Sequence, residues 1–449
     1  MIPSLTAALL TALVAWLTPA AAEDHVTRAI QVDRDVEAVA TVRAGCARCD
    51  WGQAGRESVA LTVALDGQYS QHLQLVRGEA AADYHIALGH LGKGLHRLTI
   101  DRDPALSAAG AGPATIDVPD IRFYIPGQSA DYTALSMAPI VYARPNTVGK
   151  FTDLPLLMWY ETVPTPRGTQ YRYSVIFSNE DGGTQTDRLM ATWGRTTDIE
   201  FIYGVEVDER QQILAEEFQG PGHEVPAFTG QHEGRHPLLW VSTDNNMVSE
   251  AGPTRIRYAP QPVKFDLTDK AREAVMWANP WTYAVASVEM RREGKVVSDA
   301  PPGHNTIPDP RRFAYVEACG TVGHAALAVS VGTSTRPSEA GSVRLPPSLW
   351  TPSDRGLAQY RIVRDGCFTI ATPLPAGTRP SDIRAIRVHA FERPAAEGQP
   401  RVAADPVTFT RINKVFMLDE HDLPGPSILT WEGSQTIRAG GEPFEIRIP

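Results

Sequence analysis

Asp198 and Glu200 stand two residues apart in the run DIEFIYGVEV, where apolar and polar residues alternate. In an extended strand that spacing puts both carboxylates on one face. The opposite face carries Ile199, Phe201 and Tyr203, which read as core. Two carboxylates side by side repel each other unless a cation, an arginine or a shared proton sits with them. A hard cation such as Ca²⁺ or Mg²⁺ takes oxygen ligands of this kind. Arg195, just upstream, offers a guanidinium instead. Glu206 and Asp208 fall on the same face further along, so a solvated acidic face is the competing reading.

More carboxylates lie nearby. Asn179-Glu180-Asp181-Gly182-Gly183 follows the strand-like run Tyr171–Phe177. Asp181-Gly182 is hairpin chemistry, and the glycine pair permits positive φ. The segment is either a plain turn or a loop that aims Glu180 or Asp181 into a cleft. A glycosidase needs two carboxyl groups about 5–5.5 Å or about 6.5–9.5 Å apart. Glu161, Glu180, Asp181, Asp198 and Glu200 are the candidates, with Trp159, Tyr160, Trp193 and Trp240 as stacking platforms or core. His223, His232 and His236 cluster downstream, but Gly234 and Pro237 break any helix that would carry a zincin pair. His236, just before an apolar run, remains a candidate general base or ligand, and Asp244-Asn245-Asn246 after that run offers oxygen donors.

The elements that must position these residues read as strands. Val59, Leu61, Val63 and Leu65 alternate, Asp66-Gly67 turns, and Leu73 and Leu75 resume the pattern. Residues 23–125 are expected to form an immunoglobulin-like β-sandwich. Residues 126–139 read as a linker, 140–300 as a central β-sandwich holding the candidate site, and 301–449 as a β-rich region that either stands alone or extends the central sandwich. The expected class is mostly β and multi-domain, with few helices. The best helix candidate is 266–280, capped by Asp266 and ended by Pro280.

The bulk properties exclude some functions. The 449 residues carry a formal net charge of -10 and no basic cluster, which argues against nucleic acid as a partner. The apolar run Leu5–Leu17 before Ala20-Ala21-Ala22 reads as a signal peptide cleaved after Ala22, giving a secreted or periplasmic protein with no transmembrane segment in the mature chain. The four cysteines are then expected to pair as Cys46–Cys49 and Cys319–Cys367. No P-loop, dinucleotide fingerprint or G-x-S-x-G elbow is present. Nothing in the sequence specifies an oligomeric state.

Residues 140–255 carry a resemblance. Gly194-Arg195-Thr196-Thr197-Asp198-Ile199-Glu200 resembles the Gly-His-x-His-Asp-Trp-Glu signature of the necrosis- and ethylene-inducing-like proteins and a related vacuolar-sorting-like group. His236-Pro237-Leu238-Leu239-Trp240-Val241-Ser242, followed by Ala251-Gly252-Pro253, resembles their second element. The resemblance implies a shared sandwich fold and a divalent cation held by Asp198, Glu200 and Asp187. Arg195 and Thr197 stand where the signature has histidines, and Ile199 stands in place of its tryptophan. Two functions follow as expectations. One is an exported protein that binds a glycan or lipid head group, with or without Ca²⁺ or Mg²⁺. The other is a carbohydrate-active hydrolase or lyase. An envelope or assembly component with no small ligand is a third.

Overall fold

The computed structural model describes residues 22–334, 345–346, 349–393 and 402–448. The apolar run Leu5–Leu17 lies outside them, as do Ala20 and Ala21 of the expected cleavage site. The chain is mostly β, with 46% strand and 11% helix, arranged as three successive pairs of sheets.

The N-terminal pair is made of two four-stranded antiparallel sheets. Val36–Cys46 pairs with Ala82–Leu91 and Ala114–Tyr124, while Ala60–Leu65 pairs with Gln68–Gln74 and Gly94–Asp103. The second long strand thus pairs with the fifth, and the third with the sixth, as in an immunoglobulin sandwich. The first long strand, His25–Val32, joins the sixth, and the last joins the second. That places the two terminal strands on opposite sheets from their immunoglobulin positions. Alternating residues such as Val42, Leu61, Val63, Leu98 and Ile100 fill the interior. The expected turn at Asp66-Gly67 is present, with both residues at positive φ.

The central pair joins Pro155–Thr165, Gly168–Phe177, Asp198–Val207 and Ile213–Phe218 in one antiparallel run, edged by Pro262–Lys264 in parallel. Its second sheet is built on Ile140–Tyr142 and His236–Val241. Tyr173, Val175, Phe177, Ile202, Tyr203, Val205 and Leu239 meet between the sheets. The C-terminal pair is a separate sandwich of two four-stranded sheets, around Phe313–Thr321 and Ala325–Thr333, with its own core. Both expected disulfides are formed; Cys319 and Cys367 are direct cross-strand partners.

Among the described residues there are four helices: α1 (Tyr132–Ser136), α2 (Thr186–Trp193), α3 (Ala274–Ala278) and α4 (Trp281–Arg292). Helix α1 lies inside the expected linker, and its Thr133, Ala134, Leu135 and Ser136 are buried. The helix expected over 266–280 is a correction. Asp266 closes a turn by accepting from the Thr268 N–H at 2.9 Å, only 274–278 is helical, and Pro280 starts the next helix as its N-cap residue. Proline suits that place because the first N–H groups of a helix have no partner within it. Val275, Met276 and Tyr283 of this helix pair pack against Trp159, Ile176 and Ile199 on one side and Phe313, Tyr315 and Phe416 on the other. The helices therefore cement the outer face of the central sheet to the C-terminal sandwich.

Candidate carboxylate cavity

This cementing explains the strand that carries Asp198 and Glu200. Both of its faces are covered, and nine of its ten residues are buried. A bulge in its pairing shifts the register between Tyr173 and Ser174: Tyr173 faces Tyr203, whereas Ser174 faces Phe201. Ile202 and Tyr203 consequently both belong to the sandwich interior. Before the bulge, Asp198 and Glu200 lie opposite Phe177 and Val175 and share their inward face, while Ile199 points out to the helices. After the bulge, Val205 and Val207 point in, and Glu206 pairs with Arg167 and Thr165 on the exposed side. This corrects two sequence expectations. Glu206 does not share a face with Asp198 and Glu200, and the pair is not a solvated acidic stripe: Asp198 is 2% exposed and Glu200 9%.

Helix α2 positions the residues just before that strand. It ends at Gly194, whose φ of 61° allows its N–H to reach the Met190 carbonyl. A Cβ there would lie 2.5 Å from the Thr369 methyl of the C-terminal sandwich, so glycine meets both a conformational and a packing demand. The turn delivers Arg195 into the interior. Its Nε donates to Glu273 Oε1 at 3.1 Å, its Nη1 donates to the Thr197 carbonyl, and Nη1 stands 3.7 Å from Asp198 Oδ1. Asn246 donates to Asp198 Oδ2 at 3.1 Å and to Asp153 Oδ1 at 3.3 Å. Gln219 donates to Glu200 Oε2.

Glu180, Asp198 and Glu200 line one cavity of about 410 Å³. Trp193, Arg195, Gln219, His223, Arg272 and Arg364 complete most of its wall. Glu180 is held by the Thr184 N–H at 2.8 Å. The loop behind it needs Gly183, at a φ of 96°, where a Cβ would crowd Glu180 Oε1 at 2.9 Å. Arg364, from the C-terminal sandwich, donates to the Thr192 carbonyl at 2.9 Å and lies over the Trp193 ring. The site is thus assembled from the central sheet, the segment leading to α3, and a strand end held beside Cys367.

Burial sets the electrostatics. It pushes the Glu180 carboxyl up to about 7, and the neighbouring Asp198 adds to that shift. The same two causes push Glu200 up to about 9. Asp198 is also raised by burial, against the pull of Arg195. At neutral pH Glu200 therefore stays protonated and Glu180 stands near its midpoint, beside guanidinium groups, so the lining both donates and accepts hydrogen bonds.

The other expected site residues are elsewhere. Asp181 accepts from Arg144 at 2.9 Å and from Thr152 at 2.8 Å, in an ion-pair cluster that Arg144 also makes with Asp153 and Asp244. Glu161 sits along the Pro155–Thr165 strand opposite Arg172 and does not line the cavity. His236 is buried at the seam with the N-terminal sandwich, with Nδ1 2.9 Å from the Ala138 carbonyl oxygen and Nε2 3.3 Å from Glu37. Of the stacking candidates, Trp193 reaches the cavity, Trp159 and Tyr160 are core, and Trp240 stacks on Tyr142. Gln219, Arg272, Glu273 and Arg364 went unnoticed in the sequence; nothing local marks them, because loops and a distant strand bring them in.

The residues do not fit the divalent cation that the resemblance implies. Asp187 is committed in another direction, with Oδ1 accepting from the Tyr360 hydroxyl at 2.7 Å and Oδ2 from the Gly303 N–H at 2.7 Å. Arg195 supplies the positive charge next to Asp198. Among the described residues no group of three or more His, Cys, Asp or Glu side chains is arranged to hold a metal ion.

Compared with models of known protein families, with curated proteins and with solved structures, the chain matches none. The family resemblance rests on the motif residues alone.

Proposed function

We propose that this is an exported protein that binds a glycan by taking one sugar unit into the carboxylate cavity. The observation that carries the reading is the composition of the cavity lining, where Glu180, Asp198 and Glu200 stand among Arg195, Arg272, Arg364 and Trp193. A sugar ring presents hydroxyls that both donate and accept, together with an apolar face. Protonated carboxyls, guanidiniums and an indole match those three features. A lipid head group with the same hydroxyl pattern, such as an inositol, is the other source of that chemistry. Arg195 takes the place of the cation, so binding is independent of Ca²⁺ and Mg²⁺. The two disulfides support an oxidising compartment. Among the described residues no helix is long and apolar enough to cross a membrane.

The test is an array of glycans and phosphoinositides probed with the wild type and with Trp193→Ala, with and without EDTA. Binding that EDTA leaves unchanged and that Trp193→Ala weakens about tenfold or more supports the reading, since a stacking contact is a large part of such affinity. Binding abolished by EDTA would overturn the role given to Arg195.

One observation favours a second reading, a glycoside hydrolase or lyase. Glu180 holds its proton up to about pH 7, which suits a general acid at neutral pH. In that case a polysaccharide panel shows turnover that Glu180→Gln reduces at least about a hundredfold. No turnover on any substrate leaves glycan binding as the function.

A further inference from the structure

A second cavity of about 410 Å³ lies between the N-terminal and central sandwiches. Volumes of roughly 300–1,000 Å³ are those of sites that enclose a small organic ligand. Its walls are largely apolar, formed by Leu73 and Ile86 from the first sandwich, Leu156, Leu157 and Val263 from the second, and Trp281 of α4.

The polar groups on these walls are almost all engaged. Gln71 donates to the Ala87 carbonyl at 2.6 Å and accepts from the Ala259 N–H at 3.0 Å. His72 pairs with Asp103 at 3.1 Å, and Asp83 with Arg43 at 3.1 Å. Gln261 accepts from Arg122 at 2.8 Å. His85 sits 3.2 Å from the Thr41 hydroxyl, and burial keeps it neutral at pH 7. Two groups differ. The Gln74 side-chain nitrogen is buried with no hydrogen-bond partner. Arg77 lies over the Trp281 ring at 5.3 Å and reaches only the Asp83 carbonyl, at 3.5 Å; among the described residues it has no carboxylate partner. Arg77 is exposed, so its charge stands at the mouth of the cavity and the apolar walls lie behind it. The Asp83 charge is answered by Arg43, which leaves Arg77 as the uncompensated charge on the lining.

A buried amide without a partner is costly, and a guanidinium at an apolar mouth matches a planar carboxylate. We propose that this inter-sandwich cavity binds a small amphipathic carboxylate, its acid group on Arg77 and its apolar body between Leu73 and Leu157. The body would join the faces of two sandwiches, so the ligand would also brace their junction.

Calorimetric titration of the full chain with octanoate and with 1-octanol tests this. Octanoate is expected to bind at one site per chain and to raise the melting temperature. Arg77→Gln, an exposed substitution that leaves the core untouched, is expected to weaken octanoate about tenfold or more while changing 1-octanol binding less than about twofold. Leu157→Trp, which fills the cavity, is expected to weaken both. Trp193→Ala, in the other cavity, is expected to leave octanoate unchanged, which keeps this site separable from the glycan site. Absence of octanoate binding at millimolar concentration would overturn the proposal. So would equal octanoate affinity in the wild type and Arg77→Gln, because that would mean partitioning onto apolar surface elsewhere.

Discussion

At the residue scale, three buried carboxyls, Glu180, Asp198 and Glu200, stand close together in the fold. Arg195 touches Asp198, Glu273 and the Thr197 carbonyl, so removing it leaves buried charges unanswered. Arg195→Met is expected to cost about 3–5 kcal/mol in chemical denaturation, the usual price of breaking a buried ion pair on one side. A loss below about 1 kcal/mol would contradict the pairing. The raised carboxyls also set a pH dependence with a definite sign. Glu180 and Glu200 lie above their ordinary value of 4.5 in the folded state, at about 7 and about 9. The folded chain therefore holds more protons than the unfolded chain between those limits. Their contribution to stability is complete below about pH 4.5 and is lost as pH rises through about 7 and then about 9. Glu289, buried with its carboxylate on Trp51 Nε1 and pushed up to about 8, adds to the same slope. The melting temperature is expected to fall across this window, and Glu180→Gln with Glu200→Gln to flatten the fall without removing it. At this scale the sequence spoke clearly. The spacing of Asp198 and Glu200 placed them on one face, and Arg195 was their nearest counter-charge. What it could not show was the burial that raises both carboxyls and keeps Glu200 protonated at neutral pH.

At the element scale, the deciding features are a bulge and a helix end. Alternation along 198–207 implied one unbroken face, but the extra residue near Ile202 exchanges the two faces partway along. A bulge inserts one residue into a ladder without any distinctive composition, and here both faces are apolar because one is packed on helices. Helix α2 was hidden for a similar reason: its sequence TDRLMATW is short and mixed, and it lies within what reads as loop. Helix α4 was missed because Pro280 looks like a stop signal and is here a start. Gly194 links the helix end to the site. Gly194→Ala forces a side chain into left-handed backbone and against Thr369, and is expected to destabilise the fold by about 2 kcal/mol. Equilibrium unfolding reads that loss directly, and an unchanged midpoint would show that the turn relaxes freely.

At the scale of the whole molecule, the carboxylate cavity exists because three parts of the chain meet. The mostly β, multi-sheet character was legible from strand alternation and turn chemistry, whereas the sequence left open whether residues 301–449 stand alone or extend the central sandwich. The meeting itself was not legible, since Arg364 and Cys367 lie more than 160 positions beyond Arg195 in the chain and no local pattern ties them. Cys319–Cys367 closes a stretch of 48 residues and holds the start of the strand Gly366–Pro373, with Arg364 in the bend just before it, near the site. Replacing both cysteines with serine is expected to cost about 3–4 kcal/mol by freeing that loop in the unfolded chain. It is also expected to weaken ligand binding more than it weakens folding of the first sandwich, which protease protection of that sandwich would register. The central claim is that the cavity lined by Glu180, Asp198 and Glu200 is where a sugar is held, with Arg195 in place of a metal ion. The most direct measurement is calorimetric titration of the best array ligand into the wild type, into Trp193→Ala and into the wild type with EDTA. Binding is expected to be unchanged by EDTA and weakened about tenfold or more by Trp193→Ala; full affinity in Trp193→Ala, or loss of binding in EDTA, would rule out a sugar held there with Arg195 in place of a metal ion.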